Sequence, residues 1–307
     1  MKKVIVTGAN GFIGTSLLEL MSKEDVLIFA IIKDESEDIS KIKDYDNVKI
    51  IYCDFNYIEK LPNLITDRDI DYCIHLAWAG SFGDARADYD CQLNNVKATL
   101  DLIEVLKEMK VKRFVGAGTL AEKDVLNYHM TDGATPNAVS IYGIAKLTNQ
   151  LMTKALCSKY GIEHIWCYLS NTYGVGNTTN NFVNMASRKM IRGERASFTS
   201  GEQTYDFVYI TDTVKAINCV AKFGKKNCSY YLGSTKERPL KEYIKIIKDT
   251  VDPHIELYLG EVPFNGKALS CENYSAEKLV EHTGFVPSVD FEDGIKKTVE
   301  WLKEQEK

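Results

Sequence analysis

The chain has 307 residues, 45% of them hydrophobic, which suits one large globular domain or a main domain with a smaller appendage. Its formal net charge of -5 argues against a nucleic-acid partner held by phosphate contacts. No stretch approaches the roughly 18 apolar residues of a membrane span, and no cleavable signal follows the start. We therefore expect a cytoplasmic protein that binds neither nucleic acid nor membranes. The eight cysteines are dispersed without Cys-x-x-Cys spacing, which predicts reduced thiols and no metal site.

The first predicted element is a β-branched strand that runs into a glycine-rich turn and an apolar helix. The run from Val4 to Val6 suits a buried parallel strand, and Gly8, Gly11 and Gly14 follow at spacings of three. Such glycines permit the tight turn, the approach of the backbone to a ligand and the packing of helix on strand. The first helical N–H groups then face a diphosphate. The pattern predicts a dinucleotide site, and a glycine-rich turn without a ligand is the alternative.

Further along the chain, short apolar runs alternate with helical patterns. The runs end at Lys33, Asp54, Ala77 and Thr119. This alternation predicts an α/β fold with a parallel sheet and crossover helices. Because ligands of such sheets bind outside the carboxyl ends of the strands, we expect these residues to lie around the ligand.

The end of the second run bears on the choice of cofactor. An acidic side chain at this place binds the ribose hydroxyls of NAD, whereas a basic one accommodates the 2′-phosphate of NADP. Ile32 occupies the acidic position and Lys33 follows it. The sequence therefore favours NADP, although the nearby Asp34 keeps NAD open. A solvated Lys33 without a ligand is the alternative.

A tyrosine and a lysine stand four residues apart on a predicted helix. This spacing puts Tyr142 and Lys146 on one helix face, so that an ammonium can lie beside a phenol. A cation there, together with a positive nicotinamide ring, would lower the pKa of Tyr142 and make it a usable acid or base. Thr119 could bond the same substrate oxygen. The alternative is a polar pair on an amphipathic surface helix.

An ordered set of motifs resembles the extended short-chain dehydrogenase/reductase family, in particular its NAD-dependent epimerase/dehydratase group acting on nucleotide sugars. The resemblance covers nearly the whole chain. Its motifs are Thr7-Gly8-x-x-Gly11-x-x-Gly14, Asp54-Phe55, His75-Leu76-Ala77-Trp78, Asn95, Thr119, Tyr142-x-x-x-Lys146, Asn171-Thr172-Tyr173-Gly174 and Asp206-Phe207-Val208-Tyr209.

The resemblance implies a Rossmann-like doubly wound parallel sheet with a smaller C-terminal α/β substrate domain. Residues 1–170 would form the dinucleotide-binding domain. Residues 171–307 would mainly form the nucleotide-sugar domain, with some segments returning to the main sheet. A homodimer through the helices of Asn95 and Tyr142 is also implied.

The resemblance also implies the site residues. Thr119, Tyr142 and Lys146 would be catalytic, and Thr119, Asn171 and Tyr205 would contact the substrate. The residues assigned to the cofactor are Gly8, Gly11, Phe12, Ile13, Gly14, Lys33, Asp54, Phe55, Leu76, Ala77, Trp78, Asn95, Tyr142 and Lys146.

Two departures from the family pattern restrict which reaction and which substrate contacts we expect. The dehydratases follow the catalytic threonine with Asp-Glu, whereas Leu120 and Ala121 follow Thr119 here, so dehydration is disfavoured. The family's diphosphate-binding arginine is replaced by Tyr205, which removes a bidentate contact. The candidates to replace it are Arg188, Arg192, Arg195 and Lys267.

Two short stretches, Thr119 to Met130 and Ala30 to Asp34, resemble a 4-ketosugar reductase of the family. We therefore predict an NAD(P)-dependent nucleotide-sugar 4-ketosugar reductase. The alternatives are a 4-epimerase with tightly bound NAD and a non-catalytic NADP-binding sensor. We expect His75 to be structural rather than catalytic.

Overall fold

The computed structural model describes residues 1–42, 44–264 and 274–307, so that Lys267 and Cys271 lie outside the described residues. The strands are β1 (Lys2–Thr7), β2 (Val26–Ile32), β3 (Val48–Tyr52), β4 (Tyr72–His75), β5 (Arg113–Thr119), β6 (Glu163–Leu169), β7 (Asn171–Tyr173), β8 (Ala196–Phe198), β9 (Thr204–Tyr205), β10 (Phe207–Tyr209), β11 (Ser229–Leu232), β12 (Arg238–Pro239) and β13 (Leu257–Leu259).

The α-helices are α1 (Phe12–Met21), α2 (Leu61–Leu64), α3 (Tyr89–Glu108), α4 (Ala121–Asp124), α5 (Ser140–Tyr160), α6 (Phe182–Ile191), α7 (Ile210–Phe223), α8 (Leu240–Val251), α9 (Glu277–Thr283) and α10 (Phe291–Gln305). Short 3-10 turns cover Phe55–Lys60 and Gly83–Arg86, and a π-helical turn covers Val125–His129.

The chain divides into two compact units. The sheet unit consists of Met1–Leu169, Val214–Leu232 and Lys278–Phe285. The second unit consists of Ser170–Thr213, Gly233–Glu277 and Val286–Lys307.

The sheet unit is built on seven strands in the order β11-β6-β5-β4-β1-β2-β3. Every neighbouring pair is parallel. The predicted Rossmann-like doubly wound sheet is therefore confirmed. The direction of strand order reverses between β1 and β4, and a crevice opens at such a reversal, outside the carboxyl ends of the two strands.

The sheet forms where the sequence has continuous apolar runs, because strands covered on both faces need no polar alternation. Val4, Ile5 and Val6 of β1 are all fully buried. The longest helix, α5, ends at Gly161, whose φ of 73° is the left-handed conformation that closes a helix at its C-terminus. This geometry leads the chain directly into β6.

The outer strand beside β6 comes from much later in the chain. β11 pairs with β6 in parallel, from Ser229 opposite Trp166 to Leu232 opposite Leu169. The sheet unit is thus assembled from separated segments.

The second unit packs its short strands and helices around aromatic side chains. β7 pairs with β10 and β8 with β13 in parallel, while β9 and β12 are antiparallel. Phe207 and Phe291 both meet the Tyr243 ring edge-on, at centroid distances of 4.8 and 4.7 Å. No helix among the described residues is long and apolar enough to cross a bilayer.

Candidate active site

The glycine-rich turn after β1 depends on the absence of side chains. Gly8 has a φ of 66°, and a Cβ there would lie 2.7 Å from the backbone nitrogen of Ala77. A Cβ at Gly14 would lie 2.2 Å from the Gly8 carbonyl oxygen. Gly11 is the N-cap residue of α1, and its N–H donates to the Gly8 carbonyl at 3.1 Å. The turn therefore brings β1, β4 and the N-terminus of α1 together.

A cavity of about 400 Å³ lies next to this turn. Eight predicted cofactor residues line this cavity: Gly8, Gly11, Asp54, Phe55, Leu76, Ala77, Trp78 and Asn95. Lys33 also lines it, whereas Phe12, Ile13 and Gly14 lie in the first turn of α1, outside the lining. The shape and the glycine turn fit a dinucleotide at the switch point of the sheet.

The cavity wall near the end of β2 carries one positively and one negatively charged side chain. The exposed Lys33 and the half-buried Glu37 line the same cavity. Asn10 Nδ2 donates to Glu37 Oε2 at 3.1 Å, which holds the carboxylate close to the glycine turn. Sequence reasoning missed Glu37, because nothing in the polar segment after β2 distinguishes it from its neighbours.

Side chains of α3 hold the loop after β4. Asn95 accepts from the Ala79 N–H at 2.9 Å and donates to the Ala79 carbonyl at 2.8 Å. Trp78 Nε1 donates to Gln92 Oε1 at 2.8 Å. Asn95 thus braces the cavity wall as well as lining it.

His75 is buried between two threonines. Its Nδ1 lies 2.8 Å from Thr7 Oγ1 and its Nε2 lies 3.0 Å from Thr99 Oγ1. Burial lowers the pKa of His75 to about 3, so the ring is neutral at physiological pH. The contacts are those of a residue that ties the turn after β1 to α3.

The three predicted catalytic residues lie together in the sheet unit. Thr119 ends β5 and forms a side-chain hydrogen bond with Tyr142, in the first turn of α5. Lys146 Nζ donates to the Ala117 carbonyl at 2.9 Å and lies 3.8 Å from the centre of the Trp78 ring. Trp78 therefore connects this group to the cavity that it lines.

The electrostatic surroundings of Tyr142 differ from the expectation. Burial raises the pKa of Tyr142, and the hydrogen bond with Thr119 and the charge of Arg86 oppose this effect. The Arg86 guanidinium lies 4.3 Å from the centre of the Tyr142 ring. The cation that lowers the phenol pKa in this structure is thus Arg86, whereas the sequence argument assigned this effect to Lys146. Arg86 gave no sequence signal, since it stands in a short 3-10 turn within the polar segment between β4 and α3.

A buried carboxyl group, Glu122, lies under the same site. Its Oε1 accepts from the Thr119 N–H at 2.7 Å and its Oε2 accepts from Trp166 Nε1 at 2.9 Å. Burial raises the pKa of Glu122 to about 7, and burial lowers the pKa of Lys146 to about 7. The attraction between the two charges opposes both shifts.

Two of the three predicted substrate residues, Asn171 and Tyr205, lie in the second unit, whereas Thr119 lies in the sheet unit. Asn171 Nδ2 donates to the Asp206 carbonyl at 3.1 Å, and the Tyr205 ring stacks on Phe207 with centroids 5.6 Å apart. Arg238 stands opposite Tyr205 in the β9–β12 pair, and it pairs with Glu292 at 2.6 Å.

The arginines considered as replacements for the family's diphosphate ligand already have acidic partners. Arg188 and Arg192 pair with Glu306, at 3.2 and 2.5 Å, and Arg195 pairs with Glu261. The fourth candidate, Lys267, lies outside the described residues. Within the described ranges, no group of His, Cys, Asp and Glu side chains could hold a metal ion.

The fold and this site define a Rossmann-like protein with a threonine, a tyrosine and a lysine at the carboxyl edge of its sheet. Residues 4–233 match the sequence model of the NAD dependent epimerase/dehydratase family. The chain belongs to this family, as the resemblance of its motifs predicted.

Curated relatives cover nearly all of the chain. A putative UDP-glucose 4-epimerase of Methanocaldococcus jannaschii is 27% identical, over 98% of this chain and 98% of the relative. The dTDP-4-dehydro-6-deoxyglucose reductase of Escherichia coli is 24% identical, over 98% and 97%. CDP-abequose synthase of Yersinia pseudotuberculosis, the family member that the two short stretches resemble, is 25% identical, over 83% and 87%. Epimerases and reductases are thus both among the relatives.

A solved structure confirms the fold. The Bordetella bronchiseptica enzyme WbmF, determined in complex with NADH, has a TM-score of 0.80 and 22% sequence identity, with 99% of this chain and 92% of that chain covered.

Proposed function

We propose that the protein is a nucleotide-sugar oxidoreductase that reduces a 4-keto sugar with NAD(P)H. The observation that carries this proposal is the group of Thr119, Tyr142 and Lys146, with Tyr142 hydrogen-bonded to Thr119 and Lys146 anchored on Ala117. A reductase needs a proton donor at the oxygen that receives negative charge, and a phenol beside a hydroxyl supplies one.

The residues divide the work as follows. The nicotinamide cofactor supplies the hydride when bound. Tyr142 protonates the developing alkoxide of the sugar, and Thr119 orients that oxygen. Lys146 holds the nicotinamide ribose and contributes positive charge. The protein thus contributes distance and electrostatics rather than covalent chemistry.

The position of Glu122 supports a reaction other than dehydration. A dehydratase needs carboxyl groups that reach the substrate. Glu122 is fully buried, and each of its oxygens already accepts a hydrogen bond, from the Thr119 N–H and from Trp166. Such a carboxyl group stabilises the backbone around Thr119 and does not act on the substrate.

The second unit is the proposed substrate domain, and residues 1–170 the proposed cofactor domain. The proposed substrate contacts of the second unit are Asn171 and Tyr205. Tyr205 offers a ring face and a hydroxyl where the family has a guanidinium, so the diphosphate needs another cation.

The alternative of the same class is a 4-epimerase that retains NAD, favoured by the relative from Methanocaldococcus jannaschii. The deciding experiment is to denature freshly purified protein and identify the released nucleotide by absorbance and mass. An empty site that binds NAD(P)H reversibly, with turnover of a 4-keto nucleotide sugar, supports the reductase. NAD released in near-stoichiometric amount contradicts it and supports the epimerase.

A non-catalytic sensor is the alternative from another class. The intact group of Thr119, Tyr142 and Lys146 argues against it, because sensing a dinucleotide needs no acid or base. It would gain support if no nucleotide sugar were turned over or raised the unfolding temperature.

Replacing Lys33 tests whether the protein prefers NADP or NAD. We expect Lys33→Ala to weaken NADPH binding about tenfold and to leave NADH binding nearly unchanged, because only NADPH carries a 2′-phosphate for the ammonium. Glu37→Gln is the reciprocal variant, since removing a carboxylate from this wall favours the phosphate. Fluorescence titration of both cofactors measures the effect. Equal losses for NADPH and NADH in Lys33→Ala would contradict our assignment.

We also propose a homodimer through α3 and α5, which pack together. Their outer faces expose large apolar side chains, with Leu93 61% and Leu151 59% accessible. Light scattering is expected to give twice the chain mass of 34.7 kDa. Leu93→Asp with Leu151→Asp is expected to give the single-chain mass, because charges on both helices prevent the burial of these faces. Phe223→Asp, on the exposed part of α7, is the matched control and keeps the dimer. A wild-type protein of single-chain mass would overturn this proposal.

A further inference from the structure

The side chain of Glu122 is fully enclosed by the protein. It belongs to the short helix α4, which begins two residues after Thr119, and its side chain has no exposure. A Cβ at Gly118 would lie 2.6 Å from Glu122 Oε1 and 2.1 Å from Trp166 Nε1, so the strand has room for both groups only because it carries a glycine. The carboxyl group is therefore packed directly against the backbone of the catalytic strand.

The same helix is pressed against the helix of the tyrosine and lysine. A Cβ at Gly143 would lie 2.7 Å from the Ala121 carbonyl oxygen. Gly143 follows Tyr142 directly, so the close approach fixes the distance between α4 and the first turn of α5. The helix α4 thus packs closely against both β5 and α5, the two elements that carry the site.

Burying an acid is costly unless a cation or several donors face it. Glu122 accepts from the Thr119 N–H and from Trp166. Lys146 binds the carbonyl of Ala117, two residues before Thr119 on the same strand, so the carboxylate and the ammonium meet at one end of β5. The two opposite charges attract each other there. Lys146 is also buried, its Nζ donates to a neutral carbonyl, and its pKa is lowered by burial and raised by Glu122. Each group thus depends on the other for the stability of its charged form.

Other ionisable groups surround the pair. Lys123 of the same helix lowers the pKa of Glu122, while Tyr142 of α5 and Tyr168 of β6 feel the charge of Glu122. His75 of β4 feels the charge of Lys146 and is neutral. Arg86 faces Tyr142. Lys146 is the only buried cation among these, so its charge is the one for which Glu122 matters most.

We propose that Glu122 is a positioning residue of this site: its carboxylate holds the backbone of Thr119 and is the counter-charge that keeps Lys146 an ammonium. It thereby sets the pH range in which the site is active. This inference rests on the proposed function only for the roles of Thr119 and Lys146 in the reaction.

Tryptophan resonances test the charge coupling without substrate or cofactor. The chain has three tryptophans, so a protein labelled with 15N-indole gives three side-chain signals. Trp78→Phe and Trp301→Phe leave the Trp166 signal assigned by elimination. Because Trp166 donates to Glu122 Oε2, its signal follows the ionisation of Glu122 between pH 5 and 9.

We expect the Trp166 signal of the wild type to titrate near neutral pH and that of Glu122→Gln not to titrate. In Lys146→Met the midpoint is expected to rise by about 1 pH unit or more, since the carboxylate loses its cation. Lys123→Met is the matched control on α4, where the shift is expected to be smaller. A midpoint that is the same in Lys146→Met and the wild type overturns the proposal. This comparison decides the matter even if Glu122→Gln does not fold.

The pH profile of the reductive reaction tests the consequence for activity. In Glu122→Gln we expect the alkaline limb of kcat/KM to move to lower pH by about 1 unit, because Lys146 loses its proton earlier without the counter-charge. Glu122→Asp retains the charge and is expected to restore the limb at a reduced rate. Glu108→Gln, on the exposed end of α3, is the control and keeps the wild-type profile.

The outcomes separate the two proposals. A folded Glu122→Gln protein with the wild-type alkaline limb contradicts the role of Glu122. A wild-type chain that turns over no nucleotide sugar, but shows the expected Trp166 titrations, contradicts the proposed function and retains the pairing of Glu122 with Lys146.

Discussion

Replacement of Tyr142 by phenylalanine is expected to lower kcat by about a thousandfold, within the range found for the loss of a general acid. The variant removes one oxygen, the donor that protonates the alkoxide. The aromatic ring remains, with its contact to the Arg86 guanidinium at 4.3 Å. We therefore expect NAD(P)H binding to change by no more than about twofold.

The measurement is a comparison of turnover with cofactor affinity in the same preparation. The rate is measured with a 4-keto nucleotide sugar, and affinity by fluorescence titration. Tyr160→Phe, at the half-buried last residue of α5, is the matched control and keeps wild-type turnover. Full activity in Tyr142→Phe would exclude Tyr142 as the proton donor, and an equal loss of cofactor binding would make its role one of binding.

Gly14→Ala is expected to give the second largest effect, on stability and on cofactor binding together. The new methyl group would lie 2.2 Å from the Gly8 carbonyl oxygen, a backbone atom that cannot rotate away. Either α1 moves off the sheet or the turn after β1 opens. We expect a loss of about 3 kcal/mol in the free energy of unfolding and NAD(P)H binding weakened about 100-fold, because the helix N-terminus no longer faces the diphosphate.

Gly11→Ala separates this steric effect from a general intolerance of alanine. A Cβ at Gly11 would lie 3.3 Å from the same carbonyl oxygen, so a small adjustment accommodates it. We expect a loss of about 1 kcal/mol or less, the usual cost of alanine at an N-cap. Urea unfolding of both variants measures the difference. Equal stability of Gly14→Ala and the wild type would mean that α1 is free to shift.

The sheet and the glycine turn could be predicted because their determinants are local. Apolar runs such as Val26 to Ile32 cover a whole strand, and the structure has β2 at these same bounds. The turn around Gly8 needs a conformation that glycine provides, so the residue type itself carries the signal. The pairing of Tyr142 with Lys146 on one helix face follows from helical spacing.

The role of Glu122 beside the catalytic residues could not be predicted in this way. Glu122 is distinguished by burial and by the hydrogen bond from Trp166, a residue of another strand. In the sequence it stands in a run of charged residues that suggests a solvated surface. The reported contacts of Arg86 and Glu37 likewise arise from where loops lie on the fold. These properties are tertiary, and residue spacing within one element does not encode them.

The place of β11 at the outer side of β6 has a consequence for biosynthesis. A nascent chain that has emerged only as far as Leu169 holds six of the seven strands, with β6 as an unprotected edge. Such an edge is a template for aggregation until it is covered. The partner strand Ser229–Leu232 leaves the ribosome only after the intervening segment. The sheet unit therefore cannot be completed from the N-terminal residues alone, and its completion requires synthesis of most of the polypeptide.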